Sequence, residues 1–336
     1  MLSKFTFTAS LLLAMTAHSL QAKIWTVSPR PGANFTTLSG AVASSSVLAG
    51  DTILVSGAPA SYAGFTISKK LTIIGPGYFL NENTGLQADT NSAKISSQVT
   101  INAQGTTLMG LFLNELSINA DNVTITRCRM RTTSAGSYPV YIYAKDSVII
   151  RQCFITQAAN YYYNCITVTN FATQIFIQNN FIEYLGGQPS YGSIIINGTM
   201  SGDISNNVIY GNIFNGSGGF TFNNNILGSG TFSPTANITY NNNIGNSTQF
   251  GTANGNQQNV SMSAVFVGSG TSDSKWQVMD AGPADNTGLD GTDCGMFGGA
   301  SPYRLSGAPS IPLVYSINGS IDGSLLNMNV KIKSNN

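Results

Sequence analysis

The chain carries one histidine, His18, and charged side chains at only 9% of its 336 positions. With no histidine after residue 18, neither a Ser-His-Asp nor a Cys-His nucleophile system can be assembled, and a histidine metal site is excluded too. Charge of either sign is scarce. There are 15 basic and 14 acidic residues, and setting Lys4 aside leaves 14 of each and zero net charge after residue 22. Electrostatic capture of nucleic acid or of an anionic membrane is therefore not expected. No apolar stretch is long enough to span a bilayer, so the chain is not expected to be an integral membrane protein. Apolar residues still make up 42% of the chain, mostly in short β-branched runs, which sets it apart from a disordered polymer of similarly low charge.

Residues 1–22 have the form of a targeting segment, with Lys4 at a positive start, Leu11 to Met15 at the centre of a short apolar run, and Ala22 as a small residue for cleavage. No cysteine follows the run, so the usual lipoprotein attachment point is missing. The expectation is an exported protein, secreted or held at the cell surface, that begins near Lys23.

What is abundant is a recurring phrase. Val123-Thr-Ile-Thr-Arg-Cys-Arg-Met130 returns as Val148-Ile-Ile-Arg-Gln-Cys-Phe-Ile155 and as Ile175-Phe-Ile-Gln-Asn-Asn-Phe-Ile182. Further copies end at Ile209, Leu227 and Ile244. Aligned two positions before the final apolar residue are Cys128, Cys153, Asn180, Asn207, Asn225 and Asn242, at spacings of 25, 27, 27, 18 and 17 residues. Repeats of this size imply stacked units, none of which can bury its own apolar face. Each unit is an alternating β-run ending in turn-prone residues, with no helical periodicity between units. Coils that advance one strand spacing, ~4.8 Å, place the same side chain above itself, so the repeated Asn becomes an amide ladder. The expected fold is all-β, a single-stranded parallel β-helix.

Residues 24–75 form the expected entry. Apolar positions 35, 38, 42 and 47 suit a short amphipathic helix, followed by Gly50-Asp-Thr-Ile-Leu-Val55 and Lys69-Lys-Leu-Thr-Ile-Ile-Gly-Pro-Gly77. A helix over the first rung protects an open sheet edge. This helix, the Gly-Asp-Thr-Ile step and the Leu-Thr-Ile-Ile-Gly-Pro-Gly turn resemble the opening of the pectin-lyase-like right-handed β-helix superfamily, and that resemblance supplies the handedness. Gly288-Leu-Asp-Gly-Thr-Asp-Cys-Gly-Met-Phe-Gly-Gly299 resembles the closing segment of secreted bacterial β-helix proteins. Together these give a signal peptide over 1–22, a right-handed parallel β-helix over 23–260 with an N-terminal helical cap, and a C-terminal β capping segment over 261–336.

Superfamily resemblance implies a chemistry to look for. Its polysaccharide lyases hold Ca²⁺ on stacked carboxylates and remove a proton with Lys or Arg. The parts present are Asp121 and Asp146 as metal candidates, 25 residues apart and hence on adjacent rungs, with Arg127, Arg129, Arg131, Lys145 and Arg151 as the basic residues at hand, of which Arg127, Arg129, Lys145 and Arg151 are the catalytic candidates. The same charges could instead pair on a solvated face, and the Gly-His-Gly and Arg-Ile-Lys of polygalacturonases are absent. The acidic run Asp280, Asp285, Asp290, Asp293 reads as turn-forming. Tyrosines crowd the loop-rich section instead: Tyr138, Tyr141, Tyr143, Tyr161, Tyr162 and Tyr163, with Tyr184 and Tyr191 beyond. Exposed tyrosines on a flat β face suit sugar rings.

The reading that follows is an exported β-helix protein that binds polysaccharide or a surface glycan without a recognisable catalytic signature. The alternatives are a Ca²⁺-dependent, lyase-like enzyme acting on uronate-containing glycan, and a structural or adhesive surface module. The lyase alternative carries its own test: Arg151→Ala or Asp146→Ala should abolish the ultraviolet absorbance of unsaturated uronate ends released by the wild-type chain, and an unchanged signal removes both residues.

Overall fold

A computed structural model describes residues 21–132, 136–158, 163–233, 238–322 and 324–334, with the side chains of 215–217 and 290 left aside. Residues 1–20 of the expected signal peptide, and Tyr161 and Tyr162 of the tyrosine run, lie outside the described residues. The chain is a right-handed parallel β-helix in which 23 strands join in one continuous, entirely parallel sheet. Three strand columns make its three faces. One contains Thr124–Thr126, Ile149–Arg151 and Phe220–Asn223. The second contains Arg129–Thr132, Phe154–Gln157 and Phe181–Tyr184. The third contains Val140–Tyr143 and Ile166–Thr169, followed by the start of Ile194–Ser205.

Registration puts like on like. Leu108, Ile125, Ile150, Ile177, Ile204 and Phe222 stack inside the first face, all fully buried. Met130, Ile155, Ile182, Ile209 and Leu227 do the same inside the second. The period-2 alternation of each short strand sends every other side chain into this column, which is why single rungs of three or four residues suffice.

The corner between the first and second faces is turned by one residue in the left-handed region at each level: Arg127, Gln152, Asn179, Asn206, Asn224 and Asn242, with φ from 52° to 56°. The next residue forms the ladder. The Asn207 side-chain Oδ1 accepts both the backbone N–H and the side-chain amide of Asn180 at 3.0 Å. Asn225 accepts the same pair from Asn207, Asn243 from Asn225 and Asn256 from Asn243, all within 3.1 Å. Asn180 itself takes the N–H of Cys153. One rung of the sequence alignment is corrected here. Asn243 carries the ladder and Asn242 turns the corner, because Ile244 pairs with Ile226 and it is Gly245 that pairs with Leu227. Cys128, Cys153, Cys165 and Cys294 are buried free thiols. Burial pushes the Cys128 thiol up to about 12.

Leu38–Ala43 is the entry helix, N-capped by Thr37, with Leu38, Ala41 and Val42 buried against the first rungs. After the last rung, Phe250 packs on Phe222 and Phe232 at the open end. Beyond it the chain runs back along the outside. Val265, Phe266, Trp276, Met296 and Tyr303 cover the outward column Phe154, Phe181, Val208, Ile226 and Ile244 of the second face, forming a second apolar core with Tyr78 and Phe79. The corner residues fasten this return. Asn242 donates to Thr287 O, Asn179 to Met296 O and Gly298 O, Gln152 to Ser301 O and Pro302 O, and Arg127 to Ala308 O. An antiparallel hairpin, Leu313–Asp322 with Leu325–Lys333, completes the described chain.

Replacing Asn207 by Ala removes the acceptor of two buried Asn180 N–H groups and the amide donor to the Ile177 carbonyl, so unfolding free energy should fall by about 3 kcal/mol. Urea denaturation measures it, and a loss below about 0.5 kcal/mol would mean that the ladder adds little to the strand pairing.

Candidate functional site

Tyrosines converge where the third face meets the loops that lead into it. In Val140–Tyr143, Val140 and Ile142 point inward and are fully buried, so alternation sends Tyr141 and Tyr143 outward, the latter half exposed. Tyr138, Tyr163 and Tyr191 arrive from loops on successive rungs. Ring centroids lie 5.2 Å apart for Tyr138 and Tyr141, 4.8 Å for Tyr138 and Tyr163, and 5.9 Å for Tyr163 and Tyr191. Tyr141 and Tyr143 are parallel within 17°. Five rings thus form one continuous aromatic surface. Burial first, and then the neighbouring tyrosines, raise the Tyr138 phenol above its ordinary value, so the hydroxyl stays protonated.

Beside Tyr138 and Tyr141 opens a cavity of about 350 Å³, also lined by Gln98, Glu115 and Ser117. These three polar residues were not singled out in the sequence. They occupy outward positions of the two preceding rungs, where Ser117 is in register with Tyr141. Aromatic faces flanked by an amide, a carboxylate and a hydroxyl can stack apolar ring surfaces and pair with hydroxyl groups at the same time. Tyr184 is placed differently. It packs against the interior core.

The charged candidates do not gather at this cavity. Arg127 is buried at the corner, where its Nε donates to Gln152 and Nη1 to Ala308 O, a fastening role for the return segment. Arg151 is on the outside of the first face. Arg129 is on the second face, and Lys145 stands beside Asp146 at the corner between the third and first faces. Asp121 and Asp146 do stack on adjacent rungs. Neither needs a cation between them, because Asp121 accepts the backbone N–H of Asp146 at 3.0 Å and Asp146 accepts the N–H and hydroxyl of Thr173. Thr173, through its hydroxyl and then its N–H, holds the Asp146 carboxyl below the ordinary range. Two carboxylates already engaged in this way do not fit the six to eight oxygen ligands Ca²⁺ takes. Among the described residues, no group of three or more His, Cys, Asp or Glu could hold a metal ion. Asp285 and Asp293 accept the N–H of Ala281 and Asn286, as turn residues do; the side chain of Asp290 lies outside the described residues.

No family model matches the chain, and no curated protein is significantly similar to it. Among the described residues, no helix is long and apolar enough to cross a membrane.

One carboxyl on the second face is perturbed by its surroundings. Glu183, in register between Thr156 and Tyr210, is raised by burial, with Lys275 opposing the shift. A folded-state value above the ordinary 4.5 means that its contribution to stability is fully present below that pH and is lost as pH rises through the folded value. Glu183→Gln should therefore raise the melting temperature at neutral pH and leave it unchanged in acid below 4.5; thermal melts at both conditions measure the difference.

Proposed function

We propose that the chain is an exported protein whose tyrosine-rich third face binds polysaccharide or a cell-surface glycan. The observation that carries this reading is the five-ring surface of Tyr138, Tyr141, Tyr143, Tyr163 and Tyr191 beside a cavity edged by Gln98, Glu115 and Ser117. Sugars present C–H faces and hydroxyl groups in alternation, and this surface offers a partner for each. The resemblance to the pectin-lyase-like superfamily, which includes polysaccharide lyases, points the same way, and the targeting form of residues 1–22 supports export. Binding without cleavage is favoured over lyase chemistry because Arg127, Lys145, Arg151, Asp121 and Asp146 do not line the tyrosine cavity.

A glycan array followed by affinity electrophoresis in the retained polysaccharide tests the proposal. Tyr138→Ala with Tyr141→Ala should weaken retention roughly tenfold, the loss of about 1.4 kcal/mol of ring contact. Circular dichroism should stay unchanged, since Tyr141 points away from the core. Retention equal to wild type in that double variant and in Tyr143→Ala would sink it.

A further inference from the structure

A second cavity, of about 340 Å³, lies on the second face and is lined by Lys94, Ile95, Ser96, Phe112, Asn114, Arg129 and Arg131. Register brings its cations together: Lys94 pairs with Phe112, and Phe112 with Arg129, on three successive rungs. The Arg129 guanidinium is held between two rings, 4.3 Å from the centroid of Phe79 and 4.4 Å from that of Phe112. Its Nε is buried and has no hydrogen-bond partner. Lys94 Nζ lies 5.5 Å from the Phe112 ring.

Among the described residues, none of the three cations forms an ion pair with an anion. The sole ion pair among the described residues is Arg30 with Asp89, elsewhere on the molecule. Glu82 contributes to the field at Arg129, but its carboxylate accepts the backbone N–H of Ser272. Burial first and then Arg131 push the Arg129 guanidinium down from its ordinary value. Arg129 is half-buried, whereas Lys94 and Arg131 are exposed at the cavity's mouth, so the three positive groups face an opening that an anion can enter from solvent. Arg129 has a packing role between its rings and Lys94 lies over Phe112; Lys94 and Arg131 are exposed and form no ion pair among the described residues. Arginine forks with an added ammonium suit the oxygens of a tetrahedral or planar anion.

We propose that this cavity is an oxyanion site, taking a sulfate- or carboxylate-type group. Its position indicates how such a group arrives. Asn114 lines this cavity, and its amide donates at 3.3 Å to Glu115, which lines the tyrosine cavity. The two cavities therefore adjoin across one corner of the coil. A glycan laid on the tyrosines reaches the cations with an acidic substituent. That last step rests on the function proposed above, whereas the oxyanion site stands on its own residues.

Calorimetric titration of the purified chain with inorganic sulfate, at constant ionic strength in chloride, tests the site. Saturable binding is expected, about tenfold weaker in Lys94→Gln/Arg131→Gln, the loss of about 1.4 kcal/mol of charge-assisted hydrogen bonding. Arg129 is left in place, since removing it would empty the space between Phe79 and Phe112. Lys70→Gln/Lys331→Gln, the same charge change at exposed positions that do not line the cavity, should bind sulfate as wild type does. Tyr138→Ala/Tyr141→Ala should bind it unchanged as well, which separates this site from the tyrosine face. Stronger retention in dextran sulfate than in dextran, lost in both the cation and the tyrosine variants, would place the anion on a glycan. Sulfate binding with no preference between the polymers would make the free anion the ligand. Absence of saturable sulfate binding, or equal binding by wild type and Lys94→Gln/Arg131→Gln, overturns the proposal.

Discussion

A coil that climbs by one strand spacing per turn must bend at the same place on every level, and the bend between the first and second faces demands a residue with positive φ. Every other regularity of this molecule depends on that requirement being met at each rung. Asn meets it at four of the six levels from Arg127 to Asn242, with Arg and Gln at the first two. Once the bend is made, the backbone N–H of the corner residue points along the axis to a carbonyl of the next rung, as in Asn179 to Ser205 and Asn206 to Asn223. The following residue is turned inward, where an amide can satisfy itself only against its neighbours above and below. The ladder is thus a consequence of the bend, and the buried columns of Ile and Val follow from both.

The outer surface obeys a different logic. The second face would expose Phe154, Phe181, Val208, Ile226 and Ile244, and the return of the chain covers that stripe with a second core. Tyr78 and Tyr303, 225 residues apart, share a buried hydrogen bond there, and Asp273 accepts from Asn83, Thr271, Tyr303 and the Ser306 N–H. A solenoid whose rungs touch only adjacent rungs gains long-range contacts by this means. Among the described residues the third face has no such cover, and it carries the tyrosine surface.

Much of this was legible in the sequence because periodic features leave periodic traces. The Asn180, Asn207 and Asn225 column, the stacked strands and the adjacency of Asp121 and Asp146 all follow from spacing alone. The slip from Asn243 to Asn242 arose where three asparagines run together and Gly245 stands where an apolar residue was expected, so the pattern had no mark to fix its phase. The tyrosine cluster was visible as composition, but Gln98, Glu115 and Ser117 were not, since an outward polar residue on a β-strand looks alike whether it edges a cavity or faces water. The roles of Arg127 and Arg129 were hidden for another reason. Their partners, Ala308 in one case and Phe79 in the other, belong to segments that do not repeat, 181 and 50 positions away.

The fastening of the return segment bears on the number of coils. Inside the helix the rungs are interchangeable, and solenoids of that kind can gain or lose a unit with little penalty. Outside, each level is addressed individually: Asn242 meets Thr287, Asn179 meets Met296 and Gly298, Gln152 meets Ser301 and Pro302, and Arg127 meets Ala308. Insert or delete one coil and every contact beyond it is displaced by ~4.8 Å, a full strand spacing, unless the return segment changes length in step. The returning chain acts as a ruler laid against the stack, and it holds this architecture to one length.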